Sequence, residues 1–179
     1  LFPEAFGIMG TVFAVLIGLT MFSDIGLGPG IIQDRRGGDP AFLRTAWTLQ
    51  VLRGVCIWLA CFPMAFAVYW SNGESLFLWL IPVAGLTCVL SGFNSVSLIT
   101  SKRRLTFGRV TLLGVAGNLA GTAAMISCAW VYPSVWALLV HAFVNSAVVL
   151  TGSFLAVPEI PMRRQWDPES VRVLVRFGR

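Results

Sequence analysis

Asp24 and Arg53 have the greatest chemical consequence in this sequence, because each places an ionisable group within or at the edge of a long apolar run. Charged side chains at bilayer depth are costly and mark ion pairs, polar paths or binding sites. Counted from Phe6 at about 1.5 Å per helical residue, Asp24 lies about 27 Å along its run, near the inner edge of a ~30 Å hydrocarbon core. Arg53, counted from Trp47, lies about 9 Å from that same edge. The depths are close enough for a long Arg side chain to reach the carboxylate. Two bland readings are open, a salt bridge that pins adjacent helices and a side chain that snorkels to the interface. The sharper reading is a cation facing a hydrated cavity. The bland reading suits Asp24, near the edge, and the cavity suits Arg53, the deeper of the two.

Gln50, Asn94, Asn118, His141 and Asn145 add amide and imidazole groups to the candidate substrate path. His141 and Asn145 are one helical turn apart and share a face. Ser91, Asn94, Ser95 and Ser97 make the inner half of their run polar. A lone histidine in a helical bundle is most often a packed hydrogen-bonding residue. Polar positions on four runs together nevertheless point to a hydrated interior.

The sequence offers no constellation for catalysis: no carboxylate pair at helical spacing within a run, no Ser/His/Asp set and no P-loop. The chain reads as a non-enzyme without a cofactor. Cys56, Cys61, Cys88 and Cys128 lie in apolar runs, form no CxxC pair and have a single histidine for company, which argues against a metal site. Gly26-Leu27-Gly28-Pro29-Gly30 has glycine-rich spacing but follows no strand, so it reads as a kinked, loosely wound helix end. Gly117-Asn118-Leu119-Ala120-Gly121 matches GxxxG, which allows close helix approach in lipid. Packing within one bundle is the expected use. Asn118 then bonds across helices or faces a polar cavity.

The elements that position these residues follow from composition. The hydrophobic fraction is 56% and the charged fraction 12%, half the usual share of a soluble domain. Mean hydropathy is +0.79. Most of the surface must therefore face lipid, and the expected fold is an all-α, multi-pass integral membrane bundle. A span needs about 20 mostly apolar residues. Five runs qualify, at about 6–32, 47–70, 76–99, 110–131 and 135–157, the first weak beyond Phe22. Residues 1–157 form the transmembrane bundle in this reading, and 158–179 a cytoplasmic basic linker. Asp39-Pro40 and Asp167-Pro168-Glu169 read as N-caps followed by proline at the first helical position. The first extends the second span back toward Pro40. The second opens a short amphipathic helix over 171–176, suited to the anionic inner leaflet or to a following domain.

The net charge of +5 does not point to nucleic acid, because Lys and Arg fall in short loops between apolar runs. The loops at 33–46, 101–109 and 158–179 hold every cation except Arg53, and the three on the opposite side hold none. The positive-inside rule then puts the N-terminus outside and the C-terminus in the cytoplasm, as five spans require. Tyr69, Trp70, Trp79, Trp130, Tyr132 and Trp136 gather at the outer boundary, where amphipathic rings prefer the headgroup level. The chain begins at Leu1 with no signal-peptide pattern and ends on the approach to another element, so it is expected to be a piece of a longer protein.

Certain landmarks resemble a known family. They are Leu1-Phe2-Pro3-Glu4-Ala5-Phe6-Gly7, Phe22-Ser23-Asp24-Ile25-Gly26-Leu27-Gly28 with Ile31-Ile32-Gln33, the stretch from Thr45 to Gly54, and the closing Val175-Arg176-Phe177-Gly178. In this order they are similar to the lipopolysaccharide, O-antigen and exopolysaccharide flippases of the polysaccharide transporter family, within the multidrug/oligosaccharidyl-lipid/polysaccharide exporter superfamily. The resemblance covers nearly the whole chain. It implies two helical bundles around a central cavity, of which this chain supplies the second to sixth helices and leads into a second, missing bundle. It also implies a glycan on polyprenyl pyrophosphate as substrate, moved across the bacterial inner membrane by alternating access, with membrane lipids and polysaccharide polymerase or assembly proteins as partners. Arg53 and the Asn/Ser-rich faces fit an anionic headgroup with a polar glycan. The alternatives are a membrane-embedded polymerase or glycosyltransferase, a cation-coupled drug exporter of the same superfamily, and a structural subunit. Short outer loops weigh against the first, and the scarcity of deep acidic residues against the second.

Overall fold

The computed structural model describes residues 3–24, 27–33, 39–96, 98–100, 107–156, 167, 170–172 and 174. The described residues are helical, with no strand among them. The helices are α1 (Pro3–Phe22), α2 (Leu27–Gln33), α3 (Pro40–Asn72), α4 (Leu76–Gly92), α5 (Phe107–Val131) and α6 (Trp136–Ala156). Four of them, α1, α3, α5 and α6, are long and apolar enough to cross a membrane, whereas α4 is a shorter apolar helix of 17 residues. The molecule is a multi-pass helical membrane protein.

The basic stretches at 34–38, 101–106 and 157–166, with Arg35, Arg36, Lys102, Arg103, Arg104, Arg163 and Arg164, lie outside the described residues. So do Ser97 and the closing 175–179.

α3 is the long post of the bundle. Asp39 caps it with extended backbone (φ −75°, ψ 126°), its carboxylate accepting from the Ala41 N–H at 3.1 Å, and Pro40 starts the first turn. Gly73 ends it in the left-handed region at φ 74°, its N–H returning to the Tyr69 carbonyl at 2.8 Å. Its 33 residues span about 50 Å at 1.5 Å each, well beyond a ~30 Å core. The surplus includes the extension toward Pro40 that the Asp39-Pro40 pair signals.

Two runs stop short of their expected ends. The first leaves the helix after Phe22 and resumes as α2, which carries the Gly28-Pro29-Gly30 sequence. The third is expected to reach Ile99 but leaves the helix at Gly92, turns through Phe93–Val96 and becomes helical again at 98–100. Phe93, Val96, Leu98 and Ile99 keep that stretch apolar, so hydropathy conceals the break.

Packing joins α3 to α4 and α5 to α6 as the two closest pairs, with α4 bridging to α6 and α1 leaning on α3 and α4. One apolar cluster gathers Met9, Val12 and Leu16 of α1, Cys61 and Ala65 of α3, Phe77, Leu80, Ile81 and Ala84 of α4, and Leu139 of α6. A second, at the other end, packs Ile31, Phe42, Leu43, Ala46 and Leu49 with Val96 and Leu174. Asp167 accepts from both the N–H and the hydroxyl of Ser170, and helical Leu174 is fully buried in this cluster. Val171 and Leu174 therefore dock on the bundle. Large apolar side chains remain outward, including Leu112, Leu119 and Leu155, as lipid-facing helices require. Trp70, Trp79, Trp130 and Tyr132 are likewise exposed near helix ends.

Candidate functional site

Both early helix ends meet the same stretch of α3, and a cavity of about 220 Å³ lies between them. Its lining is Thr20, Gly28, Gln50, Arg53, Gly54, Ile57, Cys88, Ser91, Gly92 and Ile99. The close approach of α3 and α4 depends on glycine. A methyl group on Gly54 would lie 2.7 Å from the Cys88 carbonyl oxygen, and one on Gly92 would lie 3.0 Å from that of Gln50.

A helix that ends within a bundle leaves carbonyls without amide partners. α3 supplies donors at every third residue. The Gln50 Nε2 group shares its hydrogens among the carbonyls of Ser91, Gly92 and Asn94, at 3.1, 3.2 and 3.3 Å. Trp47 Nε1 donates to the Phe93 carbonyl at 3.3 Å. Together these two side chains engage each carbonyl from Ser91 to Asn94.

Arg53 serves α1 in the same way. After Leu19 the last turn tightens, and the Asp24 N–H reaches back to Met21 at 3.2 Å. The Thr20 carbonyl takes Arg53 Nη2 at 2.7 Å and the Ser23 hydroxyl at 3.1 Å. Arg53 Nε donates to Ser23 Oγ at 3.2 Å, and Nη1 stands 3.6 Å from Asp24 Oδ1. A cation at a helix C-terminus also meets the negative end of the helix dipole. Asp24 and Arg53 thus form the ion pair that their depths allow, while Arg53 also lines the cavity. Its side chain keeps 24% of its exposure and that of Asp24 keeps 59%.

The remaining candidates fall elsewhere. Asn94 joins this site through its backbone carbonyl, and its buried Oδ1 has no hydrogen-bond partner among the described residues. His141 and Asn145 sit on the α5–α6 seam, where a methyl group on Gly117 would lie 2.5 Å from Asn145 Oδ1 and one on Gly121 2.8 Å from the His141 carbonyl. The GxxxG glycines therefore pack within the bundle against α6. Asn118 is exposed and donates to its own helix at the Gly114 carbonyl, 3.0 Å away, off that seam.

Comparison with known proteins adds one finding. A family described as polysaccharide biosynthesis protein matches residues 1–179, the whole chain. The chain belongs to this family. No curated protein and no solved structure matches it. The membership bears out the resemblance to polysaccharide transporters read from the sequence, and it ties this membrane protein to polysaccharide biosynthesis.

For a polysaccharide biosynthesis protein the useful feature of this site is its polarity among apolar helices. Three polar groups of the bundle escape sequence reading. Thr20 acts through its carbonyl, which leaves no side-chain signal. Trp47 looks like a boundary aromatic but spends its N–H on the α4 end. Ser153 of α6 accepts the buried Ser95 N–H at 3.1 Å, tying the turn after α4 to α6.

Proposed function

We propose that this chain forms part of the path by which a glycan on polyprenyl pyrophosphate crosses a bacterial inner membrane, from the inner to the outer leaflet. The observation that carries the reading is Arg53, a guanidinium held at a helix end and open to a 220 Å³ cavity between α1, α3 and α4. A diphosphate headgroup cannot enter a hydrocarbon core unless fixed charge and hydrogen-bond groups replace its water. A guanidinium suits phosphate because its planar donors can bind two oxygens at once. The family's link to polysaccharide biosynthesis supplies the glycan.

In this reading α4 counts as a fifth crossing, with the turn and helical residues beyond Gly92 completing its length. The N-terminal side is periplasmic and the basic loops are cytoplasmic. The chain makes one wall of an alternating-access transporter, a second bundle makes the other, and the work is translocation rather than bond chemistry. Lipid-linked oligosaccharide, membrane lipids and a polysaccharide polymerase or assembly protein are the partners.

The test is complementation of a flippase-deficient strain by the full-length protein, with membrane abundance followed in parallel. Arg53→Ala is expected to lower surface glycan about tenfold or more, the value of a charge-assisted bond, at normal abundance. Arg53→Lys should restore part of the loss. Wild-type glycan from Arg53→Ala sinks the proposal. Loss of the protein itself, in Arg53→Ala and Asp24→Ala alike, would instead make the pair a structural pin.

A further inference from the structure

We propose that Asp24 is a built-in competitor for the anion that Arg53 binds, and so sets the affinity of the cavity. The proposal rests on the reading of Arg53 as an anion-binding group. The three contacts of Arg53 are not alike. Nη2 and Nε are held by hydrogen bonds of 2.7 and 3.2 Å to the Thr20 carbonyl and the Ser23 hydroxyl. Both acceptors are neutral, so they orient the guanidinium without cancelling its charge.

Asp24 does the cancelling, and loosely. Its Oδ1 stands 3.6 Å from Nη1, beyond the roughly 2.7–2.9 Å of a charge-assisted hydrogen bond, and its side chain is 59% exposed. An ion pair of this kind is weak. The Nη1 edge is therefore the exchangeable one. A phosphate group entering from the cavity can take it at hydrogen-bonding distance with more than one oxygen, while Thr20 and Ser23 keep the other edge fixed. Asp24 thus weakens the hold of Arg53 on an entering anion by the worth of this pair.

The experiment uses full-length protein in nanodiscs of uncharged phosphatidylcholine, with inorganic pyrophosphate as the probe and calorimetry at fixed ionic strength. Asp24→Asn is expected to tighten pyrophosphate about two- to fivefold, the ion pair's worth. Unchanged or weaker pyrophosphate binding in Asp24→Asn overturns the proposal. Asp24→Ser serves as the second variant if Asn does not yield folded protein. If neither variant can be recovered folded, Asp24 is a structural pin and the proposal fails. Arg53→Gln separates the two readings: pyrophosphate binding that survives it defeats the proposed function itself, whereas binding that needs Arg53 but ignores Asp24 defeats only this inference.

Discussion

Replacing Gly54 by alanine tests the geometry that holds the cavity open. The added methyl would lie 2.7 Å from the Cys88 carbonyl oxygen and 3.4 Å from the Gly92 Cα. Carbon–oxygen contacts of this type relax at about 3.3–3.6 Å, so α4 must retreat by about 0.6–0.9 Å. Its neighbours there are backbone atoms, and no side chain can swing away instead. The retreat lengthens the bonds from Gln50 to Ser91, Gly92 and Asn94, already 3.1–3.3 Å, past useful range. Overpacking of this kind costs about 1–3 kcal/mol. Alanine also favours helix over glycine by about 1 kcal/mol, which would mask part of the loss. Gly114→Ala is the control, because a methyl there meets nothing within 4 Å and the helix preference is the same. The difference between the two variants therefore isolates the packing term. At about 2–4 °C per kcal/mol for a chain of this size, Gly54→Ala should melt at least 2 °C below Gly114→Ala, followed by tryptophan fluorescence of purified protein. Equal melting temperatures would refute the tight α3–α4 crossing, and with it the account of how Gln50 reaches the end of α4.

Ser153→Ala removes the acceptor of the buried Ser95 N–H, and should cost about 1–3 kcal/mol, read as a lower melting temperature at unchanged helicity. An unchanged melting temperature would mean that another acceptor serves Ser95. For orientation, single cysteines at Asn72, Pro133 or Lys102 are expected to divide in a background lacking the four native cysteines, of which Cys56 is exposed. An impermeant thiol reagent should label positions 72 and 133 in cells with a permeable outer membrane, and position 102 only once the inner membrane is broken. The reverse pattern would invert the topology.

Much of the site is legible in the sequence, for reasons that depend on depth. Asp24 and Arg53 can be paired from the sequence because helical rise converts position along the chain into height in the bilayer. Height does not say which helix faces meet. Gln50, Asn118, His141 and Asn145 look like one path on that basis, yet they part company: Gln50 serves the α4 end, His141 and Asn145 pack on Gly121 and Gly117, and Asn118 turns back on Gly114. The break at Gly92 is hidden for another reason. Hydropathy registers side chains, whereas the stretch after Gly92 departs from helix in its backbone, and the carbonyls of Phe93 and Asn94 are satisfied from forty or more residues away in sequence. The donor row Trp47, Gln50 and Arg53, spaced by three, is the one sequence sign that carbonyls elsewhere need partners.

The helix breaks, the donor row and the cavity are one feature. Irregular backbone at membrane depth persists only where protein or a water-filled cavity satisfies its polar groups. If α1 and α4 ran on as unbroken helices, the carbonyls of Thr20 and of residues 91–94 would be consumed by their own ladders. Gln50 and Arg53 would then lose the carbonyls that hold them, which is costly for part-buried donors. Because both helices stop, their carbonyls need donors, and α3 supplies them from a stretch about 9 Å long, at 1.5 Å per residue between Trp47 and Arg53. The space left where the helices end is the cavity, and the donor with formal charge, Arg53, lines it. Neutral Gln50 and Trp47 suffice for α4. A cation is used where the chain also carries Asp24, with which it pairs.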